Sequence, residues 1–323
     1  MRFYSSRFLL IIIVVLILTG CGSEKKSAEE NNSLKFGTIP ALQALPLIVA
    51  DVRGFFADEG LAVELVAFNS ASEKDIAITA GSIDGYFGDL FTPTVIKGNG
   101  SDIAITAVGY DTRFDRRMFG VLGKPDGGYK ALSDLKGVPV AVSSNSVIEY
   151  LTESLMLANG VDAESIVFNE VKNIGLRMQM LLSGQLDAAT LPEPLVSAAI
   201  ANGAVLLADD ADLSTSQTTL IFRNKFIESN PGLVGKFMAA VNRANRYIND
   251  NPDEVRPVMV QFIRLPEPLK ESYPVPRFPE LKAPVGETIT AVVEWLYEKN
   301  AIPKKTDYTQ LVDDRFLPEP AQD

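Results

Sequence analysis

LKFGTIPALQALPLIVADVRGFFADEGLAVELVAF, residues 34–68, decides the fold. Residues 34–39 read as a short strand, 42–60 as a helix, and 62–68 as a second strand. A helix of that length can carry the chain back, so the two strands are expected to lie parallel.

The rhythm continues outward. A helix at 72–82, a strand at 83–88, a short helix at 90–97 and a strand at 102–109 complete one α/β lobe. The charged run 111–117 reads as a crossover. The alternation then restarts, with strands at 119–123, 138–142, 166–171, 186–191 and 205–207. Helices fall at 131–136, 146–159, 174–183 and 193–201. In 146–159, Val147, Ile148, Leu151, Leu155 and Ala158 share one helical face, and Gly160 stops the helix. Polar residues 209–216 read as a return crossover, followed by a strand at 219–222 and a helix at 231–249 whose first turn holds Pro231. Six prolines between 265 and 284 forbid regular helix and predict an extended surface segment. A last helix, 287–298, should bring Trp295 and Leu296 to the core. The expected architecture is α/β, two lobes joined by two crossovers. Lobe 1 comprises 34–112 and 214–323, and lobe 2 comprises 113–213.

The N-terminus reads as a targeting segment. Arg2 and Arg7 precede an apolar run from Phe8 to Leu18. That run is too short for a spanning helix, which needs roughly 20 apolar residues, but suits a secretory signal. It ends in Leu18-Thr19-Gly20-Cys21, which resembles the lipobox of bacterial lipoproteins. The resemblance implies a signal peptide over 1–20, cleavage before Cys21, and a lipid on that cysteine. The alternatives are an uncleaved anchor or an incidental cysteine. Residues 23–33 carry no apolar side chain larger than alanine, so 21–33 is expected to be a lipidated flexible tether.

Composition narrows the chemistry. The chain of 323 residues has a formal charge of −11, which argues against nucleic acid as a partner. It contains no histidine and a single cysteine. That removes Ser–His and Cys–His catalysis, His/Cys metal sites and any internal disulfide. No cofactor and no metal are expected.

Several landmarks together carry a family resemblance. They are residues 34–47, the Gly54-Phe55-Phe56-Ala57-Asp58-Glu59-Gly60-Leu61 turn, Ala80-Gly81-Ser82-Ile83-Asp84, and Leu132-Ser133-Asp134-Leu135-Lys136-Gly137. Leu182-Ser183-Gly184-Gln185-Leu186-Asp187-Ala188-Ala189 and Pro192-Glu193-Pro194 complete the set. The chain resembles the nitrate, sulfonate, taurine and thiamine-precursor class of solute-binding proteins of ABC transporters, the NMT1/THI5-like family. The resemblance implies a type II periplasmic binding protein fold with an interlobe ligand cleft. It also implies a small-molecule ligand, permease and ATPase partners, a monomer, and a location at the cell envelope.

Ligands of α/β lobes bind at the carboxyl ends of strands, where helix N–H groups are free. That places Pro40, Leu42 and Gln43 after the first strand, facing ligand or shaping the turn. Asp89 follows the third strand, as a ligand contact or a helix cap. An ionised Asp89 would disfavour a simple anion. Tyr110, Asp111 and Arg113 follow the fourth strand. Tyr110 could stack on a ligand, and Arg113 could grip an acid group or pair with Asp111 or Asp115. Ser143, Ser144, Asn145 and Ser146 lead into a helix, one of them as its cap and the others free to donate. Glu193, between two prolines, is a stiff acceptor or a helix-start carboxylate. Asp89, Asp111 and Glu193, with Tyr110 nearby, lean toward an amino-bearing or heterocyclic solute. Arg113 and the helix N-termini lean toward an acid group, so a zwitterion or pyrimidine-like molecule would satisfy both. The resemblance adds sulfonate-, taurine- and nitrate-like solutes. A sensor's binding module and a thiamine-pyrimidine synthase-like enzyme are the alternatives.

Overall fold

A computed structural model describes residues 32–39, 41–68, 71–263 and 265–319. The signal segment 1–20, Cys21, most of the tether and Pro40 lie outside the described residues.

β1 (Ser33–Thr38) forms by alternation, with Leu34 and Phe36 buried and Ser33 and Lys35 exposed. The single helix expected over 42–60 is instead three pieces: a 3₁₀ turn at Leu42–Ala44, α1 (Leu45–Val52) and α2 (Phe55–Asp58). Gly54 divides α1 from α2 at φ 74°, a left-handed conformation that glycine adopts without a steric penalty. The chain continues through β2 (Ala62–Ala67), α3 (Ala71–Thr79), β3 (Gly85–Gly88), α4 (Phe91–Gly98) and β4 (Ile103–Asp111). Next come β5 (Phe119–Gly123), β6 (Pro139–Val142), α5 (Val147–Ala158), β7 (Val167–Glu170), α6 (Ile174–Leu182), β8 (Ala188–Pro192), α7 (Leu195–Ala201) and β9 (Val205–Asp209). The last part holds β10 (Gln217–Arg223), α8 (Asn224–Ser229), α9 (Pro231–Asp250), α10 (Pro252–Phe262), α11 (Gly286–Glu298) and α12 (Tyr308–Leu311).

The strands make two five-stranded sheets, ordered β2-β1-β3-β10-β4 and β7-β6-β8-β5-β9. β1 is parallel to β2 and β3, and β6 to β7 and β8. Helix-crossed parallel strands are therefore only part of the picture. β10 runs antiparallel to β3 and β4, and β5 runs antiparallel to β8 and β9. Each of these strands is the first reached after a crossover, so no helix has returned the chain to the far end of the sheet. Gln217, the first residue of β10, pairs with Asp111, the last of β4. Phe119, the first of β5, pairs with Pro192, the last of β8. Both crossovers thus join the two sheets at their carboxyl ends.

One apolar cluster is shared by both sheets. It contains Tyr86 and Ile105 of the first, Val121 and Val140 of the second, and Val293 and Leu296 of α11. The proline-rich segment is not a surface strap. Tyr273, Val275, Phe278 and Leu281 are buried. Its backbone is held by one face of α9: Asn242 Oδ1 accepts from Leu281 N–H at 2.8 Å, and Asn245 and Asn249 donate to Pro279 and Phe278 carbonyls at 2.7 Å each. Side-chain amides replace the ladder that proline prevents. Among the described residues, no helix is long and apolar enough to cross a membrane.

Candidate ligand site

The junction between the sheets is held by two buried carboxylates. Asp210 Oδ1 accepts from Met118 and Phe119 N–H groups, both at 2.9 Å. Burial outweighs these bonds and pushes its pKa up to about 6. Asp111 accepts from Arg113 Nη2 at 3.0 Å and from Gln217 Nε2 and Lys282 Nζ, both at 3.3 Å. Burial pushes the Asp111 carboxyl up as well, but the Arg113 bonds and the Lys282 charge outweigh it and hold the carboxyl below its ordinary range.

Several of the predicted site residues already have partners within the chain. Arg113 is paired with Asp111, so its guanidinium is engaged within the chain. The Tyr110 ring is buried edge-on to Phe278, with centroids 5.4 Å apart, and its hydroxyl donates to the Arg116 carbonyl at 3.1 Å. Leu42 lies in the core of the first sheet, and Gln43 is half-buried. Asp89 Oδ1 accepts from the Phe91 and Thr92 N–H groups at 2.8 and 2.7 Å. Its charge therefore faces the start of α4, which weakens the argument against an anion. Glu193 is buried, with Arg117 Nε at 2.8 Å and Ser197 Oγ at 3.0 Å.

The loop before α5 differs in kind. Ser146 Oγ accepts from Ile148 N–H at 3.2 Å and donates to the Ser143 carbonyl at 2.6 Å, so it is the cap. Ser144 bonds Glu170 through both its N–H and its hydroxyl. Asn145 has φ 55°, and its N–H donates to Glu149 at 2.7 Å. Ser143 Oγ instead accepts from Arg177 Nη2 at 2.5 Å. Its own proton is then free to point elsewhere.

Arg177 was not legible as a site residue. It is 0 % exposed, bonded to the Val171 and Thr190 carbonyls at 2.6–2.9 Å, and has no carboxylate within ion-pair distance among the described residues. It therefore ties together the carboxyl ends of β7 and β8 and the loop after β6. Burial pulls its pKa down to about 10, so it stays a cation at neutral pH. The signal for it was helical phase: Leu181, one turn on, is buried.

The elements facing this loop come from the first sheet. Phe91 at the start of α4 meets Tyr150 of α5 with centroids 4.9 Å apart, and Trp295 stands edge-on to both rings. The starts of α4 and α5, one following each sheet, are thus neighbours.

A family model for NMT1/THI5-like proteins matches residues 41–255. A putative aliphatic sulfonates-binding protein of Bacillus subtilis is 25% identical over 319 residues, covering 93% of this chain and 92% of that protein. A protein of the same description from Escherichia coli is 24% identical, over 77% of this chain and 79% of that one. The alkanesulfonate-binding protein SsuA of Xanthomonas axonopodis pv. citri, bound to MOPS, superposes with a TM-score of 0.76 at 20% identity, covering 89% of this chain and all of that one. The periplasmic nitrate-binding protein NrtA of Synechocystis gives 0.69 at 16% identity, covering 86% and 84%. These likenesses show the fold, a type II periplasmic binding protein with two α/β lobes. The extent of the family match and the architecture lead to one conclusion: the chain belongs to the NMT1/THI5-like family.

Proposed function

We propose that this protein is the solute-binding lipoprotein of an ABC importer, holding one small organic solute between lobe 1 (34–112 and 214–323) and lobe 2 (113–213). It hands that solute to a permease driven by its ATPase and performs no chemistry on it. In this reading, lipid on Cys21 tethers the mature chain to the envelope. The solute carries an acid group, as the similarity to sulfonate- and nitrate-binding proteins suggests.

The observation that carries the reading is the pairing of Arg177 with Ser143. A guanidinium buried with no ion-pair contact among the described residues, and only the more distant charge of Glu170 to offset it, is costly. Here it occupies the Ser143 oxygen and leaves the hydroxyl proton to donate. The start of α5 adds the positive end of its dipole beside it. The site so formed favours a negative oxygen.

A thermal-shift screen tests this. The purified protein is heated with ethanesulfonate, taurine, nitrate or a 4-aminopyrimidine. A solute at about 100 times its Kd adds about 2.7 kcal/mol of stability. A shift from an acid-bearing solute supports the reading. A response to the aminopyrimidine alone would show that the acid group was wrongly assigned.

A further inference from the structure

Lys74 lies in the first turns of α3 and is 3 % exposed, yet its ammonium makes one hydrogen bond, to the Phe87 carbonyl at 2.9 Å. It sits 4.0 Å from the centroid of the Tyr86 ring and 4.0 Å from the Asp75 carboxylate, beyond hydrogen-bond reach. Burial lowers its pKa, against the charges of Asp75 and Asp89.

Two polar atoms beside it have no hydrogen-bond partner among the described residues, though Asp75 Oδ1 keeps its ion pair with Lys74. The Tyr86 hydroxyl is buried and unbonded, on a residue 0 % exposed, and so is Asp75 Oδ1. Unsatisfied buried polar groups are rare and costly. A buried hydroxyl without a partner beside an ammonium with one hydrogen bond points to a missing acceptor.

The sheet is shaped to admit this cluster. A Cβ at Gly88 would lie 2.9 Å from the Tyr86 ring and 3.4 Å from Lys74 Nζ, and one at Gly37 would lie 3.3 Å from Lys74 Cγ. Gly88 ends β3, so the cluster lies toward the carboxyl end of the sheet. Helical phase is also spent on it. α3 turns Lys74 and Ile78 inward and leaves Ile76 69 % exposed. α6 makes the same choice, burying Arg177 and leaving Leu176 49 % exposed. An apolar residue left in water while a cation is buried breaks the rule that core positions are apolar. Such breaks are expected where function requires them.

We propose that the Lys74 ammonium and the Tyr86 hydroxyl are the specificity-determining groups of lobe 1, donating together to one oxygen of a sulfonate or carboxylate on the ligand. The proposal rests on the solute-binding reading above. Two of the three ammonium protons and the phenol proton are available to one acceptor. The acid group is then addressed by a buried cation from each lobe, and a solute lacking it leaves two donors unsatisfied.

Tyr86→Phe tests this, because it removes only the unpartnered oxygen. The variant should melt within about a degree of wild type, or higher, when no solute is present. Its affinity for ethanesulfonate or nitrate, measured by calorimetry, should fall at least tenfold, and Lys74→Met should fall at least as far. Affinity within twofold of wild type in Tyr86→Phe overturns the proposal while leaving the binding function intact. A lower melting point with unchanged affinity also overturns it, since the hydroxyl would then be holding structural water. If wild type binds none of the acid-bearing solutes, the acid-group reading falls and this subsite falls with it.

Discussion

The indole N–H of Trp295 donates to Glu153 Oε2 at 2.7 Å, joining α11, which packs on the first sheet's α4, to α5 of the second sheet. Lys299, one turn on, reaches Glu153 at 3.0 Å and Glu149 at 3.4 Å. Glu149 in turn accepts from the Asn145 N–H, so the contact leads back to the loop before α5. Trp295 is the single tryptophan of the chain, so its emission reports on this junction alone. Glu153→Ala should alter that emission and destabilise the protein by about 1–2 kcal/mol, measured by urea unfolding. An unchanged spectrum would mean that the indole bond does not persist in solution.

Arg177 should be among the least replaceable polar residues. Arg177→Met keeps length but leaves the Val171 and Thr190 carbonyls short of donors. A loss of about 2–4 kcal/mol is expected in urea unfolding, by the cost of unsatisfied buried acceptors. A change under about 0.5 kcal/mol would show that the carbonyls find other partners.

Asp210 makes stability depend on pH in a definite direction. Its pKa is about 6 in the fold against 3.8 without it. Between those values the folded state binds more protons than the unfolded one, so this group's stabilising contribution is complete below about pH 4. It is lost as pH rises through 6. Asp210→Asn keeps an acceptor for Met118 and Phe119 N–H and removes the titration. The difference in stability between variant and wild type should therefore grow in the variant's favour from pH 4 to 7, by at most about 3 kcal/mol. A difference that is flat with pH would contradict the raised pKa.

The first sheet has little slack at Gly85. A Cβ there would lie 2.6 Å from the Ile221 carbonyl oxygen and 2.7 Å from Phe222. The backbone of β10 cannot rotate out of the way, so Gly85→Ala should cost about 2 kcal/mol or more. Circular dichroism melts would show a correspondingly lower transition.

Much of the architecture was readable because it rests on local patterns. The alternation in β1 and the apolar face of α5 predict their elements directly. The antiparallel courses of β5 and β10 were not readable, because they depend on where the crossovers deliver the chain. The burial of Tyr273, Val275, Phe278 and Leu281 was not readable for a similar reason. The partners that satisfy that backbone, Asn242, Asn245 and Asn249, lie about 30 residues or more away. In the candidate site, Asp89 and Ser146 were legible because capping is local. Lys74 and Arg177 were not. Each reads as an ordinary surface charge until the phase of its helix is known.

Calorimetric titration of the purified protein with ethanesulfonate, taurine and nitrate tests the central claim most directly. The account predicts a saturable heat with one site per chain for at least one of them, and a solute recovered unchanged afterwards. No saturable heat from any of the three, or a continuing heat with conversion of the solute, would contradict it.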